Sequence, residues 1–141
     1  MLLCLQRAAV EFVLVGAHAL AAHGIARATG DIDIFVRPSA ENAVRVVQAL
    51  LDFGAPIAAH NVGTHDFTVP GTVYQLGLPP RRIDLLTEIS GVPFDEAWSS
   101  RLEANVGGMR LAFLGKEALL KNKLAAGRDK DIVDAKALAR K

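Results

Sequence analysis

The sequence predicts an α/β (α+β) fold in which helices flank a mixed β-sheet, and two observations support this class. Short runs of large and β-branched apolar residues, typical of buried strands, alternate with longer segments whose apolar residues recur at helical spacing. Gly107-Gly108 separates two strand-like segments by two residues, which is a strong β-hairpin signal. The chain has 141 residues, 51% of them hydrophobic, which is enough to bury the core of one domain. We therefore expect residues 1–141 to form a single domain.

The first half of the chain predicts an opening helix and then two strand–helix pairs. Phe12 begins a run of four large apolar residues that Gly16 ends, and Gly24 closes the helix that follows. Ser39 opens a longer helix. We therefore predict helices over residues 2–10, 17–23 and 39–53, and strands over residues 12–15 and 31–36. The apolar face of the longer helix should comprise Val44, Val47, Leu50 and Leu51.

The second half begins where Gly54 and Pro56 break that helix. Its pattern predicts strands around residues 67–69, 72–76 and 82–88, a short helix over 92–98, and hairpin strands over 102–106 and 109–113. Two closing helices, over 116–126 and 130–141, are separated by Gly127. After the opening helix, the main elements follow the order β-α-β-α-β-β-α-β-β-α-α.

Charge is distributed unevenly along a chain whose net charge is only +1. All six lysines lie in residues 116–141, which carry a net charge of +4, whereas residues 1–115 carry −3. We therefore divide the predicted domain into a core, residues 1–115, and a basic helical tail, residues 116–141. The tail either faces phosphate groups or forms a solvated helix surface.

Cysteine usage and hydropathy restrict the predicted location. Cys4 is the only cysteine, so an intrachain disulfide and a cysteine-based zinc site are excluded, and a reducing compartment is favoured. Arg7 and Glu11 interrupt the apolar N-terminal segment, which is not typical of a signal peptide. The strongest apolar run, over residues 12–22, is shorter than a membrane span. We expect a cytoplasmic protein without a membrane partner.

Three aspartates are the candidate catalytic and metal-binding residues. Residues two apart in a strand share a face, so Asp31 and Asp33 should point to one side, with Cα atoms roughly 6.5 Å apart. Like charges at this spacing repel unless a cation lies between them, and Mg²⁺ (or Mn²⁺) prefers carboxylate oxygens. Asp84 lies on a second apolar strand. Three such carboxylates on adjacent strands can hold two metals for phosphoryl transfer.

The same aspartates also have a purely structural interpretation. Asp31 and Asp33 could cap the entry of their strand beside Gly30, and Asp84 could pair with Arg81 or Arg82 at a sheet edge. The segment that precedes them, LVGAHAL, is therefore needed as context. It predicts a strand, a glycine turn and a helix whose first backbone N–H groups can bind phosphate. No Gly-Lys-Ser/Thr follows, so this segment is not a Walker loop.

Together, the glycine turn, the segment RATGDID and a later lone aspartate between apolar residues resemble the nucleotidyltransferase family of the DNA polymerase β superfamily. The likeness is closest to small bacterial abortive-infection and toxin–antitoxin nucleotidyltransferases. Gly16 matches the first turn glycine, and Asp84 fits the third acid. The lead-in and the acidic pair match at Arg27, Thr29, Asp31 and Asp33, and the helical tail matches at Lys123, Asp131 and Asp134.

This resemblance implies transfer of a nucleoside monophosphate from an NTP to a hydroxyl acceptor, which could be RNA, a protein or a small molecule. Asp31 and Asp33 would hold the metal of the triphosphate, and Asp84 would bind a second metal and help to deprotonate the acceptor. The nucleotide would be bound by the backbone of Gly16, Ala17 and His18, by Arg27 and Thr29 beside the acids, and by Lys123 or Arg128 in the tail.

A second interpretation is that the chain is an inactive member of this fold that binds a partner protein or nucleic acid, for example as an antitoxin. Ala17 stands where the resembling proteins have Gly or Ser, and its methyl group could crowd a phosphate oxygen. We also expect no separate substrate-binding domain within residues 1–141, which favours this second interpretation. The presence of Asp31, Asp33 and Asp84 favours the enzyme.

Overall fold

A computed structural model describes residues 1–27 and 30–141, and shows a six-stranded mixed sheet flanked by helices. The predicted α/β class is therefore confirmed. The helices are α1 (Leu2–Arg7), α2 (Gly16–Ala22), α3 (Ala40–Phe53), α4 (Phe94–Ser99), α5 (Lys116–Ala126) and α6 (Asp129–Ala139). The strands are β1 (Phe12–Val15), β2 (Ile32–Val36), β3 (Val73–Leu76), β4 (Ile83–Leu86), β5 (Leu102–Val106) and β6 (Met109–Phe113).

The strands lie in the order β3-β4-β2-β1-β6-β5. The pairs β1–β2, β3–β4 and β5–β6 are antiparallel, whereas β2–β4 and β1–β6 are parallel. Because β2 runs against β1 and along β4, the end of β1 and the starts of β2 and β4 meet at one edge of the sheet. This arrangement brings together segments that are distant in sequence.

The sheet separates two hydrophobic cores, and the strand alternation decides which residues enter each. Leu14 and Ile34 belong to the core beneath α3, whereas Val13 and Phe35 belong to the core beneath α2, α4, α5 and α6. Asp33 alternates with Ile34 and so lies on the second face, at the point where that core meets solvent. The predicted division of β2 into an acidic and an apolar face is thus found in the structure.

Helix α3 begins and ends as its sequence indicates, and half of its predicted face is buried. The Ser39 hydroxyl accepts a hydrogen bond from the backbone of Asn42, and Gly54 ends the helix in a left-handed conformation, with φ of 89°. Leu50 is buried and Val47 packs against the core, as predicted, but Val44 is 60% exposed and Leu51 55% exposed. The buried residues of the helix are Asn42, Ala43, Val46, Ala49 and Leu50. The buried Asn42 side chain binds the Glu11 backbone.

Two other local predictions were wrong. The opening helix stops at Arg7 rather than continuing to Val10, and Ala9 adopts a positive φ of 58°. The strand predicted around residues 67–69 does not form. Phe67 is instead the buried last residue of a 3₁₀ helix, Thr64–Phe67. The Asp66 carboxylate accepts a hydrogen bond from the backbone N–H of Gly63, at the start of this 3₁₀ helix. In a strand, such an N–H group would bind a neighbouring strand instead.

Among residues 1–27 and 30–141, no helix has the length and apolar character required to span a membrane.

Candidate functional site

The sheet edge where β1 ends brings two of the three predicted acids into register. Asp33 on β2 lies opposite Val15 of β1 on one side and opposite Asp84 of β4 on the other. Neighbouring strands are roughly 4.8 Å apart. Asp31 immediately precedes β2, and its side-chain Oδ1 accepts a 2.8 Å hydrogen bond from the backbone N–H of Arg82, next to β4. All three carboxylates therefore belong to one small region.

The Asp33 carboxylate packs directly against the turn into α2. Gly16, the first residue of α2, has a φ of +64°, and a Cβ atom added there would lie 3.3 Å from Asp33 Cγ and closer still to Oδ2. Glycine is thus required at this position both by its conformation and by the close approach of Asp33. His18 does not face the same space, because its Nε2 is 3.0 Å from the backbone oxygen of Asp31. Its ring links α2 to the start of β2.

Asp84 is bound by Arg82, two residues earlier. Arg82 Nε lies 2.9 Å from Asp84 Oδ1 and Arg82 Nη2 lies 3.2 Å from Oδ2, which is a bidentate pair. The Asp84 side chain is only 9% exposed, whereas the Arg82 side chain is 32% exposed. The structural pairing of Asp84 with Arg82, an alternative that the sequence left open, is therefore present.

Burial and the neighbouring Asp84 disfavour the ionised form of Asp33. Burial raises the pKa of the Asp33 carboxyl, and the charge of Asp84 and a hydrogen bond with the Asp84 carboxyl raise it further. The positive charge of Arg82 lowers this pKa, and Asp31 adds a smaller increase. A divalent cation between the two carboxylates would offset this unfavourable interaction.

The donor chemistry fits Mg²⁺ or Mn²⁺, because both prefer oxygen ligands and Asp31, Asp33 and Asp84 supply carboxylates from adjoining segments. The arrangement is not yet that of a complete metal site. In the part of the chain that the structure describes, no three Asp, Glu, His or Cys side chains are grouped so as to hold a metal ion. Both oxygens of Asp84 are directed to Arg82 instead.

The opposite wall of the site is built by α5 and α6 around a buried lysine. Lys123 Nζ lies 3.3 Å from Asp131 and 3.2 Å from Asp134, and its side chain is only 10% exposed. Arg27 also pairs with Asp134, and Arg128 Nε lies 2.6 Å from Asp131. Lys123 is therefore enclosed by two carboxylates, whereas the Arg128 side chain, 63% exposed, reaches solvent.

The Asp131 carboxylate is held ionised by this wall. Burial alone would raise the pKa of Asp131, but hydrogen bonds from Arg128 and Lys123, together with their positive charges, hold it below its usual value. Asp131 also accepts a hydrogen bond from the backbone N–H of Arg128 at the start of α6. Its negative charge thus stabilises both the lysine and the helix terminus.

Between the two walls lies a cleft of about 1000 Å³. Of the predicted site residues, the following line it: Gly16, Ala17, Arg27, Asp31, Asp33, Lys123 and Arg128. Asp84 lies behind Arg82, which lines the cleft itself, and Thr29 is outside the described residues. Lys130 is an exposed cation of the cleft that sequence reasoning missed. Only the concentration of lysines in the tail could have indicated it.

A mixed sheet with acids at the starts of two neighbouring strands, a glycine turn against them and a cationic cleft defines a nucleotidyltransferase-like domain. The chain belongs to the family described as "Nucleotidyltransferase of unknown function (DUF6036)", whose model matches residues 2–139. No curated protein matches the sequence.

Proposed function

We propose that this chain is a metal-dependent nucleotidyltransferase that moves a nucleoside monophosphate from an NTP to a hydroxyl acceptor. The observation that carries this proposal is that Asp33 and Asp84 are register partners on adjacent strands, while Asp31 accepts a hydrogen bond from Arg82, next to β4. Asp31 and Asp33 line a cleft that also contains cations. The family supports the general class of reaction. Kinship with the DNA polymerase β superfamily and with toxin–antitoxin enzymes remains a prediction from the sequence.

Asp31 and Asp33 are the residues that would hold Mg²⁺ or Mn²⁺, and Asp84 would complete the site. A divalent cation bound there supplies neutralisation of the triphosphate charge. Asp33 is the residue with most to gain, because its carboxyl is half-buried next to Asp84 and its pKa is raised.

The cleft provides separate groups for the triphosphate. Arg128 and Lys130 are exposed cations at the start of α6 and reach the cleft from the wall opposite the acids. The backbone at Gly16 and Ala17 lines the cleft beside Asp33. Lys123 and Arg27 are both bound to Asp134, so their main contribution is to fix the wall and its electrostatic field.

The chemical step requires little covalent participation of the protein. The acceptor hydroxyl oxygen attacks the α-phosphorus, the bond from this phosphorus to the oxygen that bridges the β-phosphate breaks, and pyrophosphate leaves. The hydroxyl proton passes to a carboxylate oxygen of Asp84. Because the cleft of about 1000 Å³ is at the upper end of ligand-pocket volumes, an NTP and part of an acceptor can occupy it together.

One set of contacts favours a second candidate, a binding subunit without catalytic activity. Asp84 is chelated by Arg82, Lys123 is neutralised by two aspartates, and Ala17 adds a methyl group to the glycine turn. In this case the cleft would bind a partner protein or a nucleic acid, as an antitoxin does. The two candidates differ in whether a metal–nucleotide complex binds.

The test incubates the protein with each α-labelled NTP, Mg²⁺ or Mn²⁺, and either total RNA or cell lysate. Label transferred to an acceptor by the wild type, but not by Asp31→Ala or Asp33→Ala, is the expected result. Asp52→Ala is the matched control, since Asp52 is an exposed acid on α3 that accepts a hydrogen bond from Gln48 and does not line the cleft. Absence of metal–nucleotide binding by the wild type at millimolar concentration would favour the binding subunit.

A further inference from the structure

Arg82 binds two of the three acids of the site, Asp31 and Asp84. Its guanidinium uses two donors on the two oxygens of Asp84, while its backbone N–H binds the Asp31 carboxylate. The guanidinium remains charged at every physiological pH. The buried Asp84 carboxylate therefore has a permanent internal cation in the protein without metal.

The position of this guanidinium conflicts with a metal bound between Asp33 and Asp84. These residues are partners in adjacent strands, so a divalent cation shared by their carboxylates would lie close to the Arg82 charge and be repelled by it. Arg82 is also partly exposed and lines the cleft, so its side chain has space to turn toward a ligand.

We propose that Arg82 is the positioning residue of Asp84: it holds the place of a cation in the metal-free protein and, when metal and nucleotide enter, exchanges Asp84 for a phosphate oxygen. This inference rests on the metal site proposed above. Guanidinium binds phosphate as readily as carboxylate, in the same two-pronged geometry. The exchange releases both Asp84 oxygens, one for metal and one for the acceptor proton.

The inference predicts that a variant lacking the guanidinium changes the binding of Mn²⁺ alone and of Mn²⁺–ATP differently. In Arg82→Met, Mn²⁺ alone should bind about tenfold more tightly, because a nearby positive charge has been removed. The Mn²⁺–ATP complex should gain much less or bind more weakly, because the phosphate has lost its arginine. A residue that served only to support the fold would weaken both kinds of binding together.

The experiment titrates Mn²⁺ alone, and then Mn²⁺–ATP, into wild type, Arg82→Met and Arg81→Met, and follows free Mn²⁺ by electron paramagnetic resonance. Arg81 is the matched control, since it is exposed, carries the same charge and adjoins Arg82, yet does not bind Asp84. Its variant should stay near the wild type for Mn²⁺ alone. Arg82→Gln, which retains a hydrogen-bond donor toward Asp84, is measured in parallel in case Arg82→Met does not fold.

The outcomes separate this inference from the proposed function. Wild-type binding of Mn²⁺ with no tighter binding in either folded Arg82 variant overturns the role of Arg82 and leaves the metal site intact. Equal tightening in Arg81→Met also overturns it, since net charge alone would then explain the change. Absence of Mn²⁺ binding in all variants overturns both the inference and the metal site.

Discussion

Gly16 and Asp33 approach each other so closely that the site has no space for a side chain at position 16. A Cβ there would be less than 3.0 Å from the Asp33 carboxylate oxygen, and the backbone has a positive φ of 64°. Gly16→Ala should therefore destabilise the fold by more than the roughly 1–2 kcal/mol of the left-handed conformation alone. It should also displace Asp33 and weaken Mn²⁺ binding.

The control for this prediction is Gly54→Ala. Gly54 has a φ of 89°, but a Cβ there meets no atom within 4 Å, so this variant shows the conformational effect without the clash. Urea unfolding of both variants measures the difference in the free energy of unfolding. An equal loss in the two variants, with Mn²⁺ binding unchanged in Gly16→Ala, would contradict the steric role of Asp33.

Asp33→Asn should stabilise the metal-free protein at pH 7. The pKa of Asp33 is raised in the folded state, so the folded protein binds this proton more tightly than the unfolded chain. The stability that the proton confers is fully present below the ordinary pKa of 3.8 and is lost as pH rises through the raised value. The amide has no such loss and can still donate a hydrogen bond to Asp84.

Chemical unfolding in the presence of a chelator, from pH 4 to pH 7, checks this prediction. Wild type should lose stability relative to Asp33→Asn across that range, and millimolar Mg²⁺ should restore it in the wild type more than in the variant. A variant that is less stable than wild type at pH 7 without metal would refute the repulsion between Asp33 and Asp84.

Lys123→Met should destabilise the protein by about 3–5 kcal/mol, the usual effect of leaving buried partners of an ion pair uncompensated. Lys123 is the buried cation between Asp131 and Asp134. Lys121→Met is the control, because Lys121 is 54% exposed and its pair with Glu96 is at the surface, where the effect is about 0–1 kcal/mol. Thermal or urea unfolding compares the two, and similar losses would indicate that the buried network adds nothing specific.

Asp131→Asn should flatten the acid side of the stability profile. The pKa of Asp131 is lowered in the folded state, so its contribution is present above the ordinary value of 3.8 and is lost as pH falls through the lower folded value. Unfolding measured between pH 2 and pH 6 should show a shallower decline in the variant than in wild type. Asp129→Asn, at an exposed position of the same first turn, is the control for the loss of a negative charge at this helix terminus.

The parts of the fold that local chemistry determines could be predicted from the sequence. The two glycines at 107 and 108 specify a hairpin, and the bounds of β5 and β6 are as predicted. The buried face of α3 was predicted only in part, at Val47 and Leu50, because Ala43 and Ala49 carry little hydrophobic signal although both are core residues. Strand-like composition around Phe67 was likewise overridden by local side-chain to backbone bonds.

The candidate site, too, has features that the sequence predicts and features that it does not. The alternation of side chains along a strand predicts which face of β2 carries Asp33. The apolar residues around Asp84 predict that this residue lies in a strand of the sheet. The pairing of Asp84 with Arg82 rather than Arg81 follows the same alternation, since residues 82 and 84 are two apart, although the prediction left both arginines open. Asp134, which binds the buried Lys123, also pairs with Arg27, 107 residues earlier in the sequence. No local pattern predicts this contact.

The strand order has a practical consequence for attaching probes to this molecule. The acids belong to the central strands β2 and β4, whereas the Gly107-Gly108 turn lies at the outer hairpin, where an added Cβ meets no atom within 4 Å at either glycine. A cysteine introduced beside that turn would carry a fluorophore away from the cleft. With the half-buried Cys4 replaced, such a label would report tumbling and complex formation without touching any residue of the candidate site.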